Sequence, residues 1–132
     1  MSSGHVWIKK RFTFAAVSAA STTGTAVTLH TTRGNECIHR VIVNRITDFA
    51  GGAVSAATVI IGKSGSTNKY LTATDVFTGV SNGMANAVVG TTAGVEVAGV
   101  SLIATVVTTT ANADALTAGE LEVFIEVSSL GA

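Results

Sequence analysis

From Glu120 to Val127 every second side chain is aliphatic. Leu121, Val123, Ile125 and Val127 fall on one face, and Glu120, Glu122, Phe124 and Glu126 on the other. A period of two belongs to a strand with one buried face, because successive side chains leave a pleated backbone on opposite sides. The pattern recurs along the chain, and no segment of useful length repeats apolar residues at three- and four-residue intervals. The chain must therefore bury its apolar residues between sheets.

Near the start, Val6, Ile8, Phe12 and Phe14 share a face with Lys10 as the exception, and Trp7, Lys9, Arg11 and Thr13 take the other. Ser21–Gly24 is a turn leading to a strand over Thr25–His30, and Arg33–Asn35 is a second turn before the long run Cys37–Ile46. Thr58–Ile61 is a continuous β-branched run, as expected inside a sandwich. Gly62–Asn68 reads as a loop, Leu71–Phe77 as holding one helical turn, and Val100–Val107 as a strand. Residues 79–94 read as a long irregular connection with one short strand at Ala87–Val89. The expectation is an all-β single domain over residues 1–132, with 1–20 an N-terminal strand or arm. Its architecture is an antiparallel β-sandwich or jelly roll of six to eight strands.

Charge narrows the function classes. Eight basic and eight acidic residues give a formal net charge of +0, and charged residues make up only 12% of the chain. That composition excludes disorder and gives no support to nucleic-acid binding, which needs a basic excess. The charges are partitioned, however. Residues 1–70 hold all eight basic residues with Glu36 and Asp48, and residues 71–132 hold the other six acids and no lysine or arginine. Strand order decides the consequence. If the first and last strands sit apart, the molecule has a basic and an acidic side; if they pair, the charges neutralise one another. The chain also has no proline, a residue often used to blunt edge strands, which suits edges covered by a partner.

Membrane and leader readings are not favoured. Residues 76–95 are uncharged but rich in glycine, asparagine and threonine, too polar for a spanning helix. Lys9–Arg11 followed by Phe12–Ala20 has the outline of a leader peptide, yet the apolar part lacks leucine and isoleucine, and His5–Phe14 reads better as a strand.

The chemical motifs are weak. Gly62-Lys63-Ser64 looks like the end of a phosphate-binding loop, but the required earlier glycine is Ala57 and no helix follows. The single Cys37 is expected to be a small buried hydrophobe. Cys37 and His39 project from the same side of a strand and, with His5 or His30, contain zinc-ligand types without a second ligand pair. Glu120 and Glu122 share a face about 7 Å apart, like paired carboxylates of glycosidases. With aromatics at 5%, a solvated edge with Phe124 at a contact is the expected reading. No Gly-x-Ser-x-Gly elbow supports a hydrolase. The chain is expected to be no enzyme and to need no metal or cofactor.

Several segments in order resemble small virion proteins of tailed bacteriophages, commonly head decoration or cement proteins. They are Phe12-Thr-Phe14, Ile38–Val43, Thr47–Gly51, Thr58–Gly65, Tyr70-Leu71, Asp75-Val76, Leu116–Gly119 and Glu122–Val127. The resemblance implies a β-sandwich, often trimeric, that binds the outer surface of an assembled capsid and stabilises it. Its partners would be the major capsid protein and further copies of itself, with no nucleic acid or membrane involved. Such a protein is made in the host cytoplasm and resides on the virion. The alternatives are a tail or head–tail connector protein, or a carbohydrate-binding adhesion module. On the residues alone, Trp7, Lys9 and Arg11 form the candidate partner-binding face, an aromatic anchor flanked by cations.

Overall fold

In a computed structural model of the chain, residues 5–19, 21–77, 87–90 and 92–131 are described. Nine strands occur among them: β1 (Val6–Thr13), β2 (Gly24–Thr31), β3 (Asn35–Ala50), β4 (Ala56–Lys63), β5 (Ser66–Asp75), β6 (Val88–Gly90), β7 (Gly94–Glu96), β8 (Ser101–Thr109) and β9 (Ala118–Gly131). The only helical pieces among the described residues are 3-10 turns at Phe14–Ala16 and Ala113–Ala115.

The strands form two antiparallel sheets. One runs β1-β9-β3-β6, with β7 also pairing β3; the other runs β2-β8-β4-β5. The 16-residue β3 is longer than any neighbour, so two short strands serve one of its edges in succession. β6 lies against Val41–Val43 and β7 against Glu36–Ile38.

The core is what the alternation requires. Leu121, Val123, Ile125 and Val127 of β9 meet Ile38, Val41 and Val43 of β3 on one sheet. Val59 and Ile61 of β4 with Leu102, Ala104 and Val106 of β8 cover them from the other. Bulges in β3, one of them between Ile38 and Arg40, keep the apolar face inward along its length.

Two segments depart from expectation. Residues 66–75 form strand β5, not a loop and a helical turn. The turn is confined to Ser64-Gly65, where Gly65 takes a φ of 87°. Tyr70 and Leu71 are buried against the core while the polar Thr67 and Asn68 face out. The long connection expected over 79–94 falls at residues 79–86 and 91 outside the described residues. Of its remainder, Val88–Gly90 is the expected short strand, and Gly94–Glu96 is a strand that the sequence did not signal.

Strand order settles the charge question. β1 pairs β9 over its whole length, Val6 opposite Val127 through Thr13 opposite Glu120. The basic and acidic ends of the chain are neighbours, and the molecule has no separate basic and acidic sides built from them.

Candidate interaction surface

The β1–β9 register puts Trp7, Lys9 and Arg11 on the outer face of their sheet, opposite Glu126, Phe124 and Glu122. All three lie together, as the alternation predicts. Lys9 Nζ is 3.6 Å from Glu122 Oε2, and Arg11 Nε donates to Glu120 Oε2. Arg40 of β3 completes the lattice, donating from Nε to Glu126 Oε1 at 2.8 Å, with its guanidinium 5.8 Å from the centroid of the Trp7 ring. The sequence pattern does not reveal Arg40, because only β9 lying between β1 and β3 brings it beside Trp7.

β9 is thus an inner strand, not the solvated edge expected from its glutamates. Glu120 and Glu122 are held by cations from β1, and their spacing serves pairing. The face is half apolar, with Phe124 and Ile42 partly covered between the charges and Val89 exposed beyond them. Trp7 is 47% exposed.

At the upper end of this face, His5 Nδ1 lies 2.8 Å from Glu126 Oε2, and the His5 ring stacks on His39 with centroids 3.9 Å apart. His39 Nε2 is 2.8 Å from Ser128 Oγ. Hydrogen bonds from Arg40 and His5 hold the Glu126 carboxyl below its ordinary range. Cys37 is half-buried on this outer face, with Sγ 3.9 Å from His39 Nδ1, and is not the core residue expected. Among the described residues no three histidine, cysteine or acidic side chains gather as a metal site would require.

A second cluster ties the sheets together. Glu96 of β7 is 2% exposed and accepts hydrogen bonds from Lys63 Nζ of β4 at 3.0 Å and Lys69 Nζ of β5 at 2.6 Å, with the Tyr70 hydroxyl as a third donor. Burial alone would raise its carboxyl, but the donors from Lys69, Tyr70 and Lys63 reverse this and hold it at about 2. Burial and the Glu96 charge both push the Tyr70 phenol up. Lys63 therefore has a structural partner, which accounts for it without phosphate. Beside the cluster, a Cβ on Gly90 would collide with the Tyr70 carbonyl, so only glycine lets β6 lie this close to β5.

This lock closes one side of the sandwich. The opposite side, between edge strands β1 and β2, stays open as a cleft of about 760 Å³ lined by Val6, Ile8 and Val127 with His30, Arg33 and Glu36 at its polar end.

No family model matches the chain, and no curated protein does. Solved structures match it. A chain of the cyanophage Pam1 capsid asymmetric unit is similar over 94% of this chain and 84% of its own length, with a TM-score of 0.65 and 16% identity. The fold is shared with chains of phage capsids. The capsid of Helicobacter pylori bacteriophage KHP30 contains a chain similar over 96% of this one and 89% of its own, at TM-score 0.53 and 11% identity. The capsid of Ralstonia phage GP4 contains another, over 94% and 84%, at TM-score 0.52 and 17% identity.

Proposed function

We propose that the chain is a structural protein of a phage virion that decorates the outer surface of the capsid shell and stabilises it, with no catalytic role. The observation that carries this reading is the whole-chain likeness in fold to chains of three phage capsids. The order of sequence segments resembling decoration proteins supports it independently.

A protein that binds only the assembled shell stabilises that state by mass action, and linked copies let weak contacts add. Association as a homo-oligomer, a trimer on the sequence resemblance, serves the second requirement. The outer face of the five-stranded sheet suits docking on the major capsid protein. Trp7 is the anchor, Lys9 and Arg11 sit at its rim, and alternating cations and glutamates leave the face without a strong net charge.

Purified virions decide the matter by location and number. Hundreds of copies of this chain on the head support decoration. A few copies at the tail or connector, or none in the particle, overturn it in favour of a tail, connector or adhesion role. Sedimentation of the free protein at micromolar concentration tests the oligomer.

A further inference from the structure

The open side of the sandwich carries two cations without an ion-pair partner among the described residues. Of the eight cations, Lys9, Arg11 and Arg40 pair with Glu122, Glu120 and Glu126. Lys63 and Lys69 pair with Glu96, and Arg45 donates to the Asp75 carbonyl. Among the described residues, the side chains of Lys10 and Arg33 alone have no such partner. Arg33 lines the β1/β2 cleft, and Lys10 lies beyond its lining, one step past Ile8 on the core-facing side of β1 and opposite Val123.

Against these two cations the cleft holds one carboxylate. Glu36, the acid in the cleft, is engaged by His30 Nε2 at 2.8 Å and by the Arg33 backbone N–H at 3.3 Å. Asp75 caps the Phe77 N–H, and Asp114 accepts from Ser21. Asp48 has its own partner as well.

Along β1 the cleft floor is apolar and accessible, formed by Val6, Ile8 and Val127, with Thr31, Thr32 and Ser129 completing the lining. Val6 points toward the core side yet is 58% exposed, because β2 does not cover it. β1 and β2 end their sheets, so each presents an unpaired backbone edge of eight residues. A bare backbone edge, an apolar floor and two cations to one carboxylate together describe a seat for an extended chain. Main-chain hydrogen bonds supply affinity, and side-chain pockets and charges supply selectivity. The β1 edge of a second copy carries Lys9, Lys10 and Arg11 and no acid, so it offers these cations no counter-charge.

We infer that the β1/β2 cleft receives an extended protein segment that alternates apolar and acidic side chains. Its apolar groups settle on Val6, Ile8 and Val127, and its carboxylates reach Lys10 and Arg33. The proposal rests on the shell-decoration reading for the partner's identity, a segment of a shell subunit, and on the cleft alone for its chemistry.

Methyl-resolved NMR of the folded protein tests it with two synthetic peptides of about ten residues, one alternating valine with aspartate and one alternating valine with lysine. The aspartate peptide is expected to shift the methyls of Val6, Ile8 and Val127, and the lysine peptide to leave them in place. The Lys10→Glu/Arg33→Glu variant should bind the aspartate peptide at least tenfold more weakly while keeping the dispersed spectrum of a folded chain. No shift at millimolar aspartate peptide overturns the inference, as does equal response to both peptides or a response confined to Trp7 and its face. Methyl shifts that track protein concentration without peptide would make a second copy the occupant and overturn it too. Binding of the aspartate peptide by a protein absent from virion heads would leave the cleft standing and remove the shell as its partner.

Discussion

Glu96 shows how much of this molecule depends on side chains that no local pattern joins. Lys63, Lys69, Tyr70 and Glu96 come from three strands in two sheets, and each looks unremarkable in its own segment. Only the pairing of β7 with β3 and the stacking of the sheets bring them within hydrogen-bond distance. Replacing Glu96 with glutamine leaves two lysines, each about one-third exposed, without their counter-charge. The expected cost is about 2–3 kcal/mol in denaturant unfolding at pH 7. Because the folded carboxyl titrates at about 2, below its ordinary value of 4.5, it binds a proton more weakly than the unfolded chain does. Its contribution is therefore complete above about pH 4.5 and is lost as pH falls toward 2. The stability gap between wild type and Glu96→Gln should shrink through that window. A gap constant from pH 7 to pH 2.5 would refute the charged role of Glu96. Gly119 makes a second residue-scale case. It sits in β9 at a φ of 143°, and a Cβ there would lie 2.5 Å from the ring of buried Phe49. Gly119→Ala should cost about 3 kcal/mol through strain and overpacking, measured the same way, whereas alanine at the open Gly52 should cost far less.

Strands with one buried face and one wet face were legible in the sequence, and β9 most clearly, because its alternation is uninterrupted. β1, β2 and β8 also emerged near their observed limits for that reason, and β4 was marked at its centre by the continuous β-branched run Thr58–Ile61. β5 did not, because Ser66, Thr67 and Asn68 are turn-forming residues used here at the start of a strand, where no side chain is buried to mark the period. β7 is three residues long and exists only because β3 outruns its other neighbours. The trio Trp7, Lys9 and Arg11 was placed on one face correctly, but the ion pairs to Glu122 and Glu120 required knowing that β1 joins β9. Those pairs are largely solvated: the Lys9 and Arg11 side chains are 62% and 55% exposed. Replacing both with alanine should shift the melting temperature by no more than a few degrees. On the docking reading the same variant should lower shell occupancy, with no steeper loss in salt, since fewer charges remain to be screened. A variant that melts far lower yet, once folded, occupies shells normally would assign these charges to the fold alone.

Absence of proline suggested unprotected edges, but the whole sandwich protects its edges unequally by other means. On the β5 side, β6 and β7 pack against the second sheet and Glu96 locks the seam. On the β1 side, Lys10 points toward the core face of an edge strand, a charge that an incoming strand must neutralise before it can pair. The sheets are consequently tied at one seam and parted at the other, and local stability should follow that asymmetry. β1 buries only Phe12 fully and Ile8 in part, while Val6 and Lys10 remain exposed on the same face. β9, β3, β8 and β4 have strand neighbours on both sides and fully buried core faces. Openings that free β1 therefore expose little apolar surface and should occur well below the free energy of global unfolding. Amide hydrogen exchange should show β1 protons paired to β9 exchanging at least about tenfold faster than those joining β9 to β3. β2 should likewise be less protected than β4, since Leu29 is its one fully buried side chain. Addition of the alternating valine–aspartate peptide should slow exchange in β1 and β2 and leave the β5–β7 seam unchanged. Uniform protection across both sheets would mean that the open side is as tightly held as the locked one, and the cleft would then lack the accessible edges that an added strand needs.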